Sequence, residues 1–173
     1  TCAVIRKGVE EGITPDGVFL AEDLGTTHAP IMSPEAFRRV LKPCYVKIFD
    51  LCRELKLSRF MHSDGRIHEI LDDLVEAGLQ VFNPVDTASG MDPVDLKRRY
   101  GKELALYGGI SARDMHDVEK SNAEIDRCVP VVAKGGGFIY HSDHSVPPSV
   151  GLERFQEILR RVRKLSDRQA LAG

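Results

Sequence analysis

Along this chain, short continuous apolar runs alternate with longer stretches in which apolar residues recur at helical spacing. Residues 2–11 place Val4, Ile5 and Val9 on one side and stop at Gly12, which suits a helix closed by a glycine just past its end. Gly17-Val18-Phe19-Leu20-Ala21-Glu22-Asp23 reads as a short buried strand ending in two carboxylates, followed by a polar loop. Ser33 and Pro34 have the form of an N-cap and a first helical residue. Phe37, Val40, Leu41, Ile48, Leu51, Cys52 and Leu55 continue at helical spacing, with Pro43 expected to kink or interrupt the helix. Arg59-Phe60-Met61 is the next strand, and Ile67, Ile70, Leu71, Leu74 and Val75 mark a helix that Gly78 ends. Leu79-Gln80-Val81-Phe82, stopped by Asn83-Pro84, is a third strand, and Asp92-Pro93 opens a helix that Gly101 closes. Leu104-Ala105-Leu106-Tyr107 is the fourth strand and runs into Gly108-Gly109. Ser111-Ala112-Arg113-Asp114 has the form of a capping box ahead of helical segments at 115–118 and 123–132. Phe138-Ile139-Tyr140 is the fifth strand; Leu152, Phe155, Leu159, Val162 and Leu165 mark a last helix, with fraying expected from Ser166 to Gly173.

Strictly alternating strands and helices, with strands too short and apolar to keep one face wet, call for an α/β fold whose parallel sheet is covered by helices. A closed (β/α)₈ barrel takes about 250 residues, roughly 31 per unit, so this length holds five to six units. Five strands are counted. A barrel and an open sheet both fit this pattern; the arithmetic favours the later, C-terminal part of a TIM barrel, about five βα units, in one domain spanning 1–173. Five strands cannot close a barrel of eight, so either a missing N-terminal half-barrel or a homo-oligomer partner is expected to cover the open edges and the apolar inner face.

Composition narrows the partners more than the fold. The chain is 42% apolar and 29% charged, with a net charge of −2 and no basic stripe to follow a phosphate backbone, which argues against nucleic acid. The apolar runs are too short to span a membrane, and the N-terminus lacks a signal-peptide pattern. Cys2, Cys44, Cys52 and Cys128 show no C-x-x-C spacing and read as reduced thiols of a cytoplasmic protein.

The chemistry concentrates at strand ends. His141-Ser142-Asp143-His144 follows the fifth strand and precedes Pro147-Pro148, and His62-Ser63-Asp64 follows the second. In a parallel sheet both clusters reach the same edge, the one that carries active sites in α/β folds. His62, Asp64 and His141 would make a two-histidine, one-carboxylate set suited to zinc or another divalent metal. The metal-free alternative uses His62 or His141 as general acid or base, with Asp64 or Asp143 fixing its tautomer and His144 beside them. Glu22 and Asp23 end the first strand, so one should face the barrel mouth and the other the helical shell. Asn83 and Asp86, also at a strand end, could contact a ligand or form a turn with Pro84. Gly108 and Gly109 could offer backbone amides to a phosphate or mark a tight turn. Gly135 to Gly137 precede their strand, on the opposite face, and are not read as a phosphate loop.

Taken together, Ala21-Glu22-Asp23-Leu24-Gly25, Ser33-Pro34-Glu35, His62-Ser63-Asp64-Gly65, Gly90-Met91-Asp92, Tyr107-Gly108-Gly109-Ile110, Gly135-Gly136-Gly137-Phe138-Ile139 and Asp143-His144-Ser145-Val146-Pro147 resemble, in order and spacing, the C-terminal half of the uroporphyrinogen decarboxylase superfamily. The resemblance implies a TIM barrel and one of two activities: decarboxylation of the acetate arms of uroporphyrinogen, or methyl transfer between a corrinoid and a thiol or other acceptor. The decarboxylases carry their substrate-gripping arginines and key aspartate in the N-terminal half, and the last strand here lacks their Asn-Leu-Gly-His-Gly-type ending. This favours the methyltransferase-like branch, with a small molecule or a corrinoid protein as partner. In the zinc-dependent methyltransferases a His-x-Cys pair and a later Cys hold the metal; here His62-Ser63-Asp64 stands in the first place and His141 near the second, so no thiolate is offered. A tetrapyrrole decarboxylase and a non-catalytic half-barrel that binds a ligand remain as alternatives.

Overall fold

The computed structural model of the protein describes residues 1–170, so the last three residues of the expected frayed tail lie outside the described residues. Five strands form one sheet in sequential order, β1 (Gly17–Ala21), β2 (Ser58–His62), β3 (Val81–Asn83), β4 (Ala105–Tyr107) and β5 (Phe138–Ile139), every neighbouring pair parallel. Parallel neighbours need a crossover between them, and each gap holds at least one helix: α2 (Pro34–Val40) and α3 (Lys42–Glu54), then α4 (His68–Ala77), α5 (Pro93–Tyr100) and α6 (Val118–Val132). Helix α1 (Cys2–Glu10) precedes the sheet and α7 (Leu152–Ala170) follows it. This is an open arc of a (β/α)₈ barrel, with all helices on the outer side.

Strand register explains where the core sits. Leu20, Met61, Phe82, Leu106 and Phe138 lie side by side in one row across all five strands. They face the helices and pack with Phe37, Phe49, Ile70 and Leu74. The rows on either side point the other way, into the barrel. There Phe19 is 50% exposed and Ile139 42%, so β1 is a strand with only its shell side covered rather than a fully buried one. A second apolar cluster, with Met115, Ile125, Val129, Ile158 and Val162, locks α6 and α7 together beyond β5.

Local signals place most element ends. Ser33 Oγ accepts the Ala36 N–H at 3.1 Å, and Pro43 sits at the start of α3, so the proline breaks one expected helix into two. The expected capping box does not cap: Ser111 Oγ donates to Asp114, the segment stays a turn, and α6 starts later, where Asp117 accepts from the Lys120 N–H. Ser166 to Ala170 continue α7 instead of fraying. The apolar face of α7 is centred on Ile158 and Val162, while Leu152 is 71% exposed. No helix among the described residues is long and apolar enough to cross a membrane.

Candidate functional site

The top inward row of the sheet builds the site. Register pairs Ala21 with His62 and His62 with Asn83, and Tyr107 with Ile139, so these side chains share the barrel side at the C-terminal strand ends. His62 ends β2 with Phe19 tilted against its ring at 6.4 Å, and Phe19 in turn lies 6.3 Å from Phe60. An apolar floor therefore lies beneath a polar rim. His62 Nδ1 is 2.8 Å from Asn83 Oδ1, and Asn83 Nδ2 donates to the Tyr107 carbonyl at 3.0 Å. On the other side of the ring, Nε2 is 3.8 Å from Asp23 Oδ1 and 3.6 Å from Asp64 Oδ2. The Asp64 N–H also points to Asp23 Oδ1 at 3.4 Å, while Asp64 Oδ1 is buried without a hydrogen-bond partner. Ser63, fully buried, accepts the Leu24 N–H through Oγ at 3.0 Å and ties the Asp23 loop to the His62 loop.

Among the described residues, two sets of three such groups converge with ligand atoms within 4.8 Å of one another: Asp23, His62 and Asp64, and Asp86, Asp143 and His144. The second set is already engaged. Asp86 accepts from the Gly65 N–H at 3.1 Å, from Ser89 Oγ at 2.6 Å and from the Ser89 N–H at 3.2 Å. Asp143 accepts from Thr87 Oγ1 at 2.5 Å and from the Ala112 N–H at 2.8 Å, with His144 Nδ1 3.4 Å away on the surface. These two buried carboxylates staple the loops after β2, β3, β4 and β5 to the short 3-10 turn Thr87–Ser89, and so hold the rim of the site.

The expected metal set is thus regrouped. His141 reaches the same edge as His62 but follows β5, three strand spacings or roughly 14 Å along the sheet from β2. It is exposed, with its ring edge-on to Tyr107 at 5.1 Å and Nδ1 against the Ser142 carbonyl, and it joins neither converging set. Asp23, from the adjacent strand, stands where His141 was expected. Glu22 points the other way, and its charge adds to the burial that raises the Tyr45 hydroxyl on α3. Gly108 and Gly109 are buried, and the Gly108 N–H donates to the Ile139 carbonyl. A Cβ on Gly108 would lie 1.9 Å from the Pro84 carbonyl oxygen, so close approach of two loops, not an open anion cradle, accounts for that glycine.

Sequence reasoning passed over Glu124, the most perturbed carboxylate. Its Oε2 accepts the Ser111 N–H at 2.9 Å, at the edge of a cavity of about 430 Å³ that Thr87, Asp92, Arg113 and Arg127 also line. Burial pushes its carboxyl up to about 7; the Ser111 hydrogen bond and Arg127 pull it down, and the charges of Asp143 and Asp114 push it further up. The only available signal was its place on the inward side of an amphipathic helix, since Ser111 and Asp143 are distant in sequence.

Comparison with known proteins places this geometry. No curated protein matches the sequence. A methyltransferase from Methanosarcina mazei has a similar structure, with a TM-score of 0.65 and 20% sequence identity, over 90% of this chain and 43% of that one. The chain thus spans less than half the length of that protein, and the likeness establishes the partial TIM-barrel fold. The sequence model described as uroporphyrinogen decarboxylase (URO-D) matches residues 6–165, nearly the whole of the chain, and the protein belongs to that family.

Proposed function

We propose that this chain forms the metal-holding wall of a methyltransferase-like member of the family, one that moves a methyl group to or from a corrinoid. The observation that carries the reading is the convergence of Asp23, His62 and Asp64 at the barrel mouth. The residues fit a divalent ion: three ligand atoms of borderline and hard character meet, two of the three groups are acidic, and one oxygen of Asp64 is buried and unpartnered. The 3.6 and 3.8 Å spacings lie close to the roughly 3.3 Å that tetrahedral ligands with bonds near 2.0–2.1 Å keep from one another. His62, Asp23 and Asp64 would hold the ion. Bound there, it would supply Lewis acidity to a thiol or similar acceptor at an open position. The name of the structurally similar protein, a methyltransferase, supports the same branch.

The remaining roles belong to the chain's own side chains. Phe19 and Phe60 give the concave side beneath the site an apolar surface. Tyr107 and His141 stand on the far side of the mouth, within reach of a large flat ligand such as a corrinoid presented by a partner protein. Asp86 and Asp143 keep the rim rigid.

Elemental analysis of protein purified without chelator, beside His62→Gln and Asp64→Asn variants, tests the ligands. Metal should be present in the wild type and lost in both variants. A titration of methylated corrinoid with a thiol acceptor, followed by visible absorption, tests the reaction. Carbon dioxide release from uroporphyrinogen with no change in the corrinoid spectrum would replace this reading with the decarboxylase one, and silence in both assays would favour a binding module.

A further inference from the structure

We infer that Asn83 is a positioning residue that locks His62 in the Nδ1–H tautomer and so turns the lone pair of Nε2 toward Asp23 and Asp64. The argument begins at Tyr107, whose backbone carbonyl can only accept a hydrogen bond. The Asn83 atom that faces it at 3.0 Å must therefore be the NH₂ group, which fixes the orientation of the amide. Oδ1 is left to face His62, and an amide oxygen can only accept. The proton of the 2.8 Å contact then has to sit on Nδ1 of the imidazole, whether or not Nε2 carries a second one.

Nothing in the surroundings loosens this chain of constraints. Asn83 is 6% exposed and sits at the end of β3, a central strand with β2 and β4 on its two sides. Its own carbonyl accepts the Ser63 N–H at 2.8 Å, so its backbone is pinned to the strand that carries His62. The relay from the β4 carbonyl through Asn83 to the ring crosses three adjacent strands. Free imidazole side chains favour Nε2–H, so the site imposes the less common tautomer. A histidine ligand generally has its second nitrogen held in this way, and losing the holding group costs about 10- to 100-fold in metal affinity. This also assigns both ends of the Asn83 amide to work inside the protein.

The tautomer assignment stands on geometry alone; only its consequence for metal affinity rests on the function proposed above. Nitrogen-15 NMR of the metal-free protein at alkaline pH reads the tautomer directly, with the His62 signals identified by their loss in His62→Gln. The expected result is Nδ1–H in the wild type, a shift toward Nε2–H in Asn83→Leu, and retention of Nδ1–H in Asn83→Asp, whose carboxylate still accepts. Cobalt(II) titration should show binding weakened about 10- to 100-fold in Asn83→Leu and weakened less in Asn83→Asp, which keeps an acceptor for the ring but gives up the donor to Tyr107. Should Asn83→Leu fail to fold, the wild-type spectrum alone decides. An Nε2–H ring in the wild type, or an unchanged tautomer in folded Asn83→Leu, would overturn the inference. A locked Nδ1–H ring in a protein that binds no cobalt would uphold it while removing the metal reading.

Discussion

The replacement Glu124→Gln should make the protein more stable above neutral pH and flatten its pH dependence. Burial raises this carboxyl from its ordinary value near 4.5 to about 7, with Asp143 and Asp114 adding to the push. In the unfolded chain it ionises near 4.5, so between these two values the folded protein holds a proton that the unfolded chain has released. Stability contributed by that proton is complete below about 4.5, falls as pH rises, and is gone above about 7. Taken at face value, the rise from near 4.5 to about 7 is worth about 3 kcal/mol. Because Glu124 also borders an open cavity, solvent screening should reduce this to about 1–2 kcal/mol. Glutamine keeps the shape and can still accept the Ser111 N–H. Urea unfolding followed by circular dichroism across this range, on wild type and variant, isolates the effect, since every other titrating group is common to both. The two curves should converge at acid pH and separate by about 1–2 kcal/mol above neutrality. Parallel curves would show that Glu124 is not the group described here.

Two further perturbations probe the frame around the site. Asp73 is buried between Arg38 and Lys42, at 2.9 and 2.8 Å. Burial pushes its carboxyl up, but those hydrogen bonds outweigh it and hold it below its usual range, so its contribution should be lost only as pH falls through that lowered value. Asp73→Asn should cost about 1–2 kcal/mol at neutral pH, since Arg38 stays half in water; an unchanged urea midpoint would refute it. Gly108→Ala drives a methyl group into the Pro84 carbonyl at a φ of +116° and should cost more than about 3 kcal/mol, visible as a large drop in melting temperature. Normal melting would mean that the two loops can separate freely.

Much of the fold was legible because its boundaries are set locally. Pro43, Gly78 and Asp92-Pro93 act through their own backbone preferences, and each marks an element end in the structure. The start of α6 was misread for the opposite reason. Ser111 and Asp114 look like a cap, yet Ala112 and Ser111 spend their N–H groups on Asp143 and Glu124, contacts from 31 and 13 residues away that no local pattern announces. The candidate site shows the same division. That His62 and Asp64 lie at the C-terminal edge of the sheet followed from the strand and its polar ending. The third member depended on which strand lies beside β2: the register pairs Ala21 with His62, which brings Asp23 in, while His141 belongs to a strand three places away.

The two faces of the sheet answer to different demands. The shell row from Leu20 through Met61, Phe82 and Leu106 to Phe138 is continuous and packed, so the curvature of the arc is fixed by residues on the helix side of the sheet. Phe19, Phe60 and Ile139 on the concave side carry little of that load. Exchanging them for larger, smaller or more polar groups would reshape the concave surface while leaving the packed shell row in place. The concave surface can therefore vary in single steps without a compensating change in the shell row.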